Sequence, residues 1–251
     1  AMTFVNAVRS VRSAGDFNGD GQEDIALIEG SDWNDWSWLL HVLLRARPGA
    51  GSPWVDLRVA LPRMSNVANT ASVACAGDVN ADGYADVIAG FPAVGLIPPT
   101  GGHVVVVYGS PGFPPALSPR VVPLAAPGLG LYGSTVSGAG DVDGDGYDDV
   151  VIGAPGSDTV VLFRGGFDGL VGGGNWSVGR GTFGLAAVGV GDMDGDGRSE
   201  FGGADSRFPD FFTNGTFAFW RWTSRDAGVT APWFRQDSGA FLGYSIARGP
   251  Y

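Results

Sequence analysis

The sequence predicts an all-β fold, a β-propeller of four-stranded antiparallel blades, and three observations carry that prediction. With 43 Gly and 16 Pro in 251 residues, 44% hydrophobic and only 16% charged, the composition suits many short strands joined by tight turns. No long stretch repeats apolar residues at the helical period. One acidic loop is written four times, each copy set in the same succession of strand-like segments.

The four copies are "AGDFNGDGQEDIALIEG" from Ala14, "AGDVNADGYADVIAGFP" from Ala76, "AGDVDGDGYDDVVIGAP" from Ala139 and "VGDMDGDGRSEF" from Val190. Their first aspartates, Asp16, Asp78, Asp141 and Asp192, are 62, 63 and 51 residues apart, the period of a propeller blade. Short first strands precede the later three loops ("TASVACAG", "GSTVSGAG", "GLAAVGVG"), and aliphatic second strands follow all four ("DIALI", "DVIAG", "DVVIG", "EFGG"). Third strands are "HVLLRAR", "HVVVVYG", "TVVLFRG" and "TFAFWRW"; weaker fourth strands are "VDLRVAL", "RVVPLAA", "NWSVGR" and "WFRQ". Such sheets cannot bury both faces alone, so they stack side by side.

The expected organisation is a single domain over residues 1–251, with blades at about 3–63, 64–127, 128–180 and 181–238 and one extra C-terminal strand at 239–251. That last segment, "AFLGYSIARGPY", reads as another first strand, with Tyr251 where a further loop would open. Three readings stay open for it: the chain is part of a longer propeller, the strand closes a small ring on the first blade, or it is an edge that self-associates with another molecule.

The loops share the pattern D-x-[DN]-x-D-G-x-x-[DE]. Counting the first aspartate as position one, positions one, three, five and nine are Asp16, Asn18, Asp20 and Asp24; Asp78, Asn80, Asp82 and Asp86; Asp141, Asp143, Asp145 and Asp149; and Asp192, Asp194, Asp196 and Glu200. Like charges at this density call for a hard cation that takes about six to eight oxygens, and Ca2+ fits best, about four ions in all. The backbone carbonyl at position seven (Gln22, Tyr84, Tyr147, Arg198) is a further expected ligand, and glycine at position six turns the chain around the ion. Mg2+ demands stricter geometry, and zinc would want His or Cys. An EF-hand is excluded because its twelfth position would be Leu27, Ala89, Ile152 or Gly203, and a strand follows.

The formal net charge is −11, and 14 of the 26 acidic residues sit at positions one, three, five and nine of these loops. The balance argues against nucleic acid and anionic membrane surfaces as partners. No apolar run reaches the length of a membrane span, so direct membrane insertion is not expected. The single cysteine, Cys75, reads as a small buried hydrophobe, and His41 and His103 as structural residues at the start of third strands. Paired carboxylates could serve acid and base chemistry, but a catalytic constellation is singular and this one recurs; there is also no Gly-x-Ser-x-Gly elbow. The chain is therefore read as not an enzyme.

The segment "YGSTVSGAGDVDGDGYDDVVIGAP" carries Tyr132-Gly133 before its loop and Gly153-Ala154-Pro155 after it, and Phe183-Gly184 stands before the fourth loop. With the repeated cation pattern, these residues resemble the FG-GAP repeats of the integrin α-subunit propeller. The other flanks depart from it: blade two ends "AGFP", blade four "GGADS", and blade one has neither half. The resemblance implies a calcium-stabilised extracellular or cell-surface adhesion or protein-interaction module, with ions stiffening the first hairpin of each blade. Its secretion signal or anchor would lie outside this chain.

The resemblance also implies a protein or glycan partner docking on the face opposite the cation loops. Loops between second and third strands emerge there, and their aromatics Trp33, Trp36, Phe208, Phe211 and Phe212 are candidates for that contact. The alternatives kept open are a carbohydrate-binding, lectin-like propeller and a non-catalytic appendage of a secreted hydrolase. "NWS" at Asn175 and "NGT" at Asn214 are glycosylation acceptors if the source modifies secreted proteins.

Overall fold

Among the described residues sixteen strands follow one another in chain order and fall into four antiparallel sheets of four. They come from a computed structural model that describes residues 6–30, 38–45, 54–62, 70–93, 101–111, 120–126, 128–177, 182–205, 216–222 and 229–236. Sheet one holds β1 (Ala7–Gly15), β2 (Asp24–Gly30), β3 (Trp38–Arg45) and β4 (Trp54–Ala60). Sheet two holds β5 (Ser72–Gly77), β6 (Asp86–Phe91), β7 (His103–Val107) and β8 (Val121–Leu124). Sheet three holds β9 (Thr135–Gly140), β10 (Asp149–Ala154), β11 (Thr159–Arg164) and β12 (Val171–Trp176). Sheet four holds β13 (Ala186–Gly191), β14 (Glu200–Ala204), β15 (Thr216–Trp222) and β16 (Val229–Gln236). Within each sheet neighbours in sequence are neighbours in space, as in a propeller blade.

Each sheet buries its faces against the next. Ile28, Leu40 and Val42 of sheet one pack with Val87, Ala89 and Phe91 of sheet two. Ile88, Val104 and Val106 on the other side of sheet two meet Val136, Val150 and Ile152 of sheet three. Val151, Val160 and Leu162 then meet Phe183, just ahead of sheet four, and Phe201 and Trp220 within it. Strands β6 and β10 are buried at every residue, which explains why they read as unbroken aliphatic runs rather than alternating ones.

The first strands β1, β5, β9 and β13 lie side by side and border an open channel of about 710 Å³. Their crowding selects small side chains: a Cβ on Gly189 would lie 2.3 Å from the Cα of Ala139. Cys75 lines this channel and is half-buried rather than fully enclosed, since it sits on an inner strand. Burial nevertheless pushes its thiol pKa up.

Several element boundaries differ from the sequence reading. β3 opens at Trp38, three residues ahead of the expected "HVLLRAR", and the Trp38 ring packs 4.9 Å from that of Phe91. The fourth strand of sheet three is "VGGGNW", upstream of the expected "NWSVGR"; pairing of Val171 with Arg164 sets that register in spite of the glycines. "PGS" at Pro155–Ser157 forms a short 3-10 turn. The extra strand expected at 239–251 lies outside the described residues.

His41 is 1% exposed, and its ring nitrogens face Glu29 Oε2 at 3.0 Å and Asp56 Oδ1 at 2.7 Å. His103 is exposed at the start of β7. Tyr132 and Phe183, each before a first strand, are fully buried in the cores between sheets. The glycine after each enters a left-handed turn, and at Gly184 (φ +92) a Cβ would come within 2.2 Å of the Thr159 carbonyl oxygen.

Two substitutions test this packing by chemical denaturation. Gly184→Ala is expected to cost roughly 2–4 kcal/mol, from strain at positive φ and collision with backbone. The Tyr132 hydroxyl is buried without a hydrogen-bond partner, so Tyr132→Phe should hold or raise stability by about 1 kcal/mol.

Candidate metal centres

Each acidic loop joins the first and second strands of its sheet, and its shape is written by carboxylates accepting backbone N–H groups. At position one, Oδ1 of Asp16, Asp78, Asp141 and Asp192 accepts the N–H of position five at 2.9, 3.0, 3.1 and 3.1 Å. The Oδ2 atoms accept the N–H of the following glycine at 2.8, 2.7, 2.8 and 2.9 Å. Position five in turn accepts the N–H of Gln22, Tyr84, Tyr147 and Arg198 at 3.0 to 3.1 Å.

Position nine begins the second strand and is buried: Asp24, Asp86, Asp149 and Glu200 are 1%, 0%, 0% and 6% exposed. One carboxylate oxygen accepts the N–H of position two, from Phe17, Val79, Val142 and Met193 at 3.1, 3.0, 2.8 and 2.7 Å. In the first three sheets the other oxygen accepts an N–H at the end of the third strand, from Arg45, Gly109 and Gly165 at 3.0, 2.9 and 2.8 Å. The ninth carboxylate thus ties the loop to the third strand.

Burial raises the pKa of these groups. It lifts Asp24 to about 6, Asp86 to about 7 and Asp149 to about 8, against the lowering by the two backbone N–H donors; neighbouring loop carboxylates push the same way as burial. Glu200 shifts upward for the same first reason.

In loop four, Asp192, Asp194, Asp196 and Glu200 each place an oxygen within 4.8 Å of the others; in loop three Asp141, Asp143 and Asp149 do so. Among the described residues, loops one and two do not bring three carboxylates as close; Asn18 and Asn80 stand at position three and donate to Asp20 and Asp82 at 3.4 and 2.9 Å. Asp143 Oδ1 and Glu200 Oε1 are buried with no hydrogen-bond partner. An all-oxygen donor set with buried orphaned acceptors fits a hard divalent cation.

Three features of the site were missed in the sequence. The loops clasp each other across blades: the N–H groups of Ala85, Asp148 and Ser199, at position eight, donate to the position-one carbonyls of Asp16, Asp78 and Asp141 in the preceding blade at 3.0, 3.2 and 2.7 Å. Asp148, which has no place in the cation pattern, also accepts the N–H of Asp78 at 2.8 Å. Its carboxylate lies against Gly77 (φ +83), where a Cβ would come within 2.2 Å of Oδ2. Position-seven side chains cover the preceding loop as well, the Tyr84 ring over Gly19 and Arg198 over Gly144. The third feature is a pair of arginines, Arg164 on Asp143 at 3.0 Å and Arg221 on Asp194. Position eight holds Glu23, Ala85, Asp148 and Ser199, with no shared residue type, because the clasp is made by its backbone N–H. The aromatics Trp33, Trp36, Phe208, Phe211 and Phe212 lie outside the described residues.

A carboxylate whose folded pKa exceeds its unfolded value of about 3.9 contributes stability below that value, and loses it as pH rises through the folded pKa. The metal-free chain is therefore expected to melt at progressively lower temperature as pH rises from about 4 to about 8, levelling off once the folded-state values of Asp24, Asp86 and Asp149, about 6, 7 and 8, are passed. Melting curves in chelator from acid to mildly alkaline pH check this, and Asp149→Asn should flatten the slope.

Comparison with known proteins agrees with the geometry. The FG-GAP repeat model matches residues 132–173, and the FG-GAP-like repeat model matches residues 16–89. Integrin alpha-PS5 of Drosophila melanogaster is 35% identical over 111 residues, 42% of this chain and 11% of that protein. Integrin alpha-PS2 of the same organism is 30% identical over 162 residues, covering 59% and 11%. Human integrin alpha-7 is 37% identical over 93 residues, covering 37% and 7%. The chain thus spans about a tenth of the length of the curated relatives it matches most widely. Four acidic hairpins recur on four stacked sheets and the repeat models match the first three of them: the chain carries FG-GAP repeats and is similar over part of its length to integrin α-subunits.

Proposed function

We propose that the chain is a calcium-stabilised, non-catalytic protein-interaction module of the adhesion type, acting outside the cell. The observation that supports it best is the fourfold recurrence of one loop whose oxygens are pre-set by backbone N–H groups, with orphaned buried acceptors at Asp143 and Glu200. Likeness to integrin α-subunits supports the adhesion class and the extracellular placement. Among the described residues no helix is long and apolar enough to cross a membrane.

Positions one, three, five and nine and the position-seven carbonyl would hold the ion in each loop. A bound divalent cation supplies charge neutralisation, turning a repulsive hairpin into a rigid one. The chain's own residues do the rest. Position one pins the loop through two N–H groups, position nine anchors it to the third strand, and position eight fastens the next blade to it. The pinning recurs in all four loops and the anchor and the joint in three each, the arrangement of a scaffold, and the loops on the far face are left to carry specificity.

Calorimetric titration of the chelator-stripped chain is expected to show uptake of about four Ca2+, with a higher melting temperature because the ion binds the folded form. Asp141→Asn should remove one site and leave the remainder. No uptake and an unchanged melting temperature would sink the calcium reading. Screening the calcium-loaded chain against extracellular proteins and a glycan array separates the protein-interaction reading from a carbohydrate-binding one.

A further inference from the structure

Position three differs among the repeats, and a second position differs with it. Loops one and two have Asn18 and Asn80; loops three and four have Asp143 and Asp194. The third-strand residue just after the partner of the second strand's second residue is Leu44 in sheet one, Tyr108 in sheet two, Arg164 in sheet three and Arg221 in sheet four, by the pairings Ile25–Leu43, Val87–Val107, Val150–Phe163 and Phe201–Trp220. An arginine stands there in the two repeats that carry the extra aspartate, and in each it is paired with that aspartate. Leu44 and Tyr108 are buried instead.

The pairing has two effects. It takes Oδ2 of Asp143, leaving Oδ1 buried and without a hydrogen-bond partner, on a side chain that is 9% exposed. It also levels the charge: three carboxylates and an asparagine in loops one and two, four carboxylates and an arginine in loops three and four, both give three net negatives. Arg198 lies over Gly144 in the covering position that Tyr84 takes over Gly19.

We propose that Arg164 and Arg221 are positioning residues that hold the position-three aspartate as a one-oxygen ligand and set loops three and four for divalent over trivalent cations. The inference rests on the calcium reading above. A guanidinium this close opposes the additional charge of a trivalent ion more than it opposes Ca2+, so its removal favours the trivalent ion.

The test uses the full chain and two metals, Ca2+ and Tb3+, with Tyr147 as the luminescence antenna in a background of Tyr84→Phe, which removes the ring over loop one, and Asp78→Asn, which removes the site in loop two. The readout is the Ca2+ concentration that displaces half of the bound Tb3+. Arg164→Gln is expected to raise it by about threefold to tenfold, the effect of one unit charge near a partly exposed site. Arg164→Lys should stay near the parent, and Asp143→Asn with Arg164→Gln, which copies loops one and two, should return toward it. An unchanged ratio in Arg164→Gln, or an equal rise in the double variant, overturns the proposal. Should Arg164→Gln fail to fold, Arg221→Gln read by calorimetric titration with both metals makes the same comparison in loop four. A parent chain that takes up neither metal would instead overturn the calcium reading.

Discussion

The buried carboxylate at the foot of each second strand is the constraint on which the rest of the structure depends. Asp24, Asp86 and Asp149 have almost no contact with solvent, yet each accepts two backbone N–H groups from segments well apart in sequence. A buried carboxylate is costly unless so satisfied. Satisfying it fixes where the loop starts and where the third strand ends. In Glu200 the longer side chain keeps the first of these bonds, and its other oxygen is left without a hydrogen-bond partner.

From that anchor the hairpin and the blade interface follow together. The leading glycines Gly15, Gly77, Gly140 and Gly191 all have positive φ, and the first-to-second strand pairing shifts register there. This bulge turns the position-one carbonyl outward to the next blade, where the position-eight N–H meets it. Cation loop and blade joint are therefore one piece of backbone. The apolar cores between sheets provide bulk cohesion, while these polar joints set the relative placement of the loops.

Much of this was legible because a repeat compares the chain with itself. Four copies of the acidic pattern located the loops, and the residues around them located the second and third strands of each sheet and the first strands of the later three. What sequence did not show depended on neighbours distant along the chain. "VGGGNW" has poor strand propensity and becomes β12 through pairing with β11. Asp148 looked like a surplus charge, and its role emerges only when the Asp78 amide of the preceding blade is brought beside it. Arg164 and Arg221 lie 21 and 27 residues from the aspartates they hold, a relation visible only once the strand register is known.

The main-chain bonds across the joints between blades all run the same way. In each, the earlier loop gives a carbonyl and the later blade gives the amide, from Asp16 to Ala85, Asp78 to Asp148 and Asp141 to Ser199. The array is consequently vectorial, with a head and a tail at every seam. Loops two and three each give a carbonyl to the blade after and an amide to the blade before, so loss of order in either hairpin releases both of its neighbours at once.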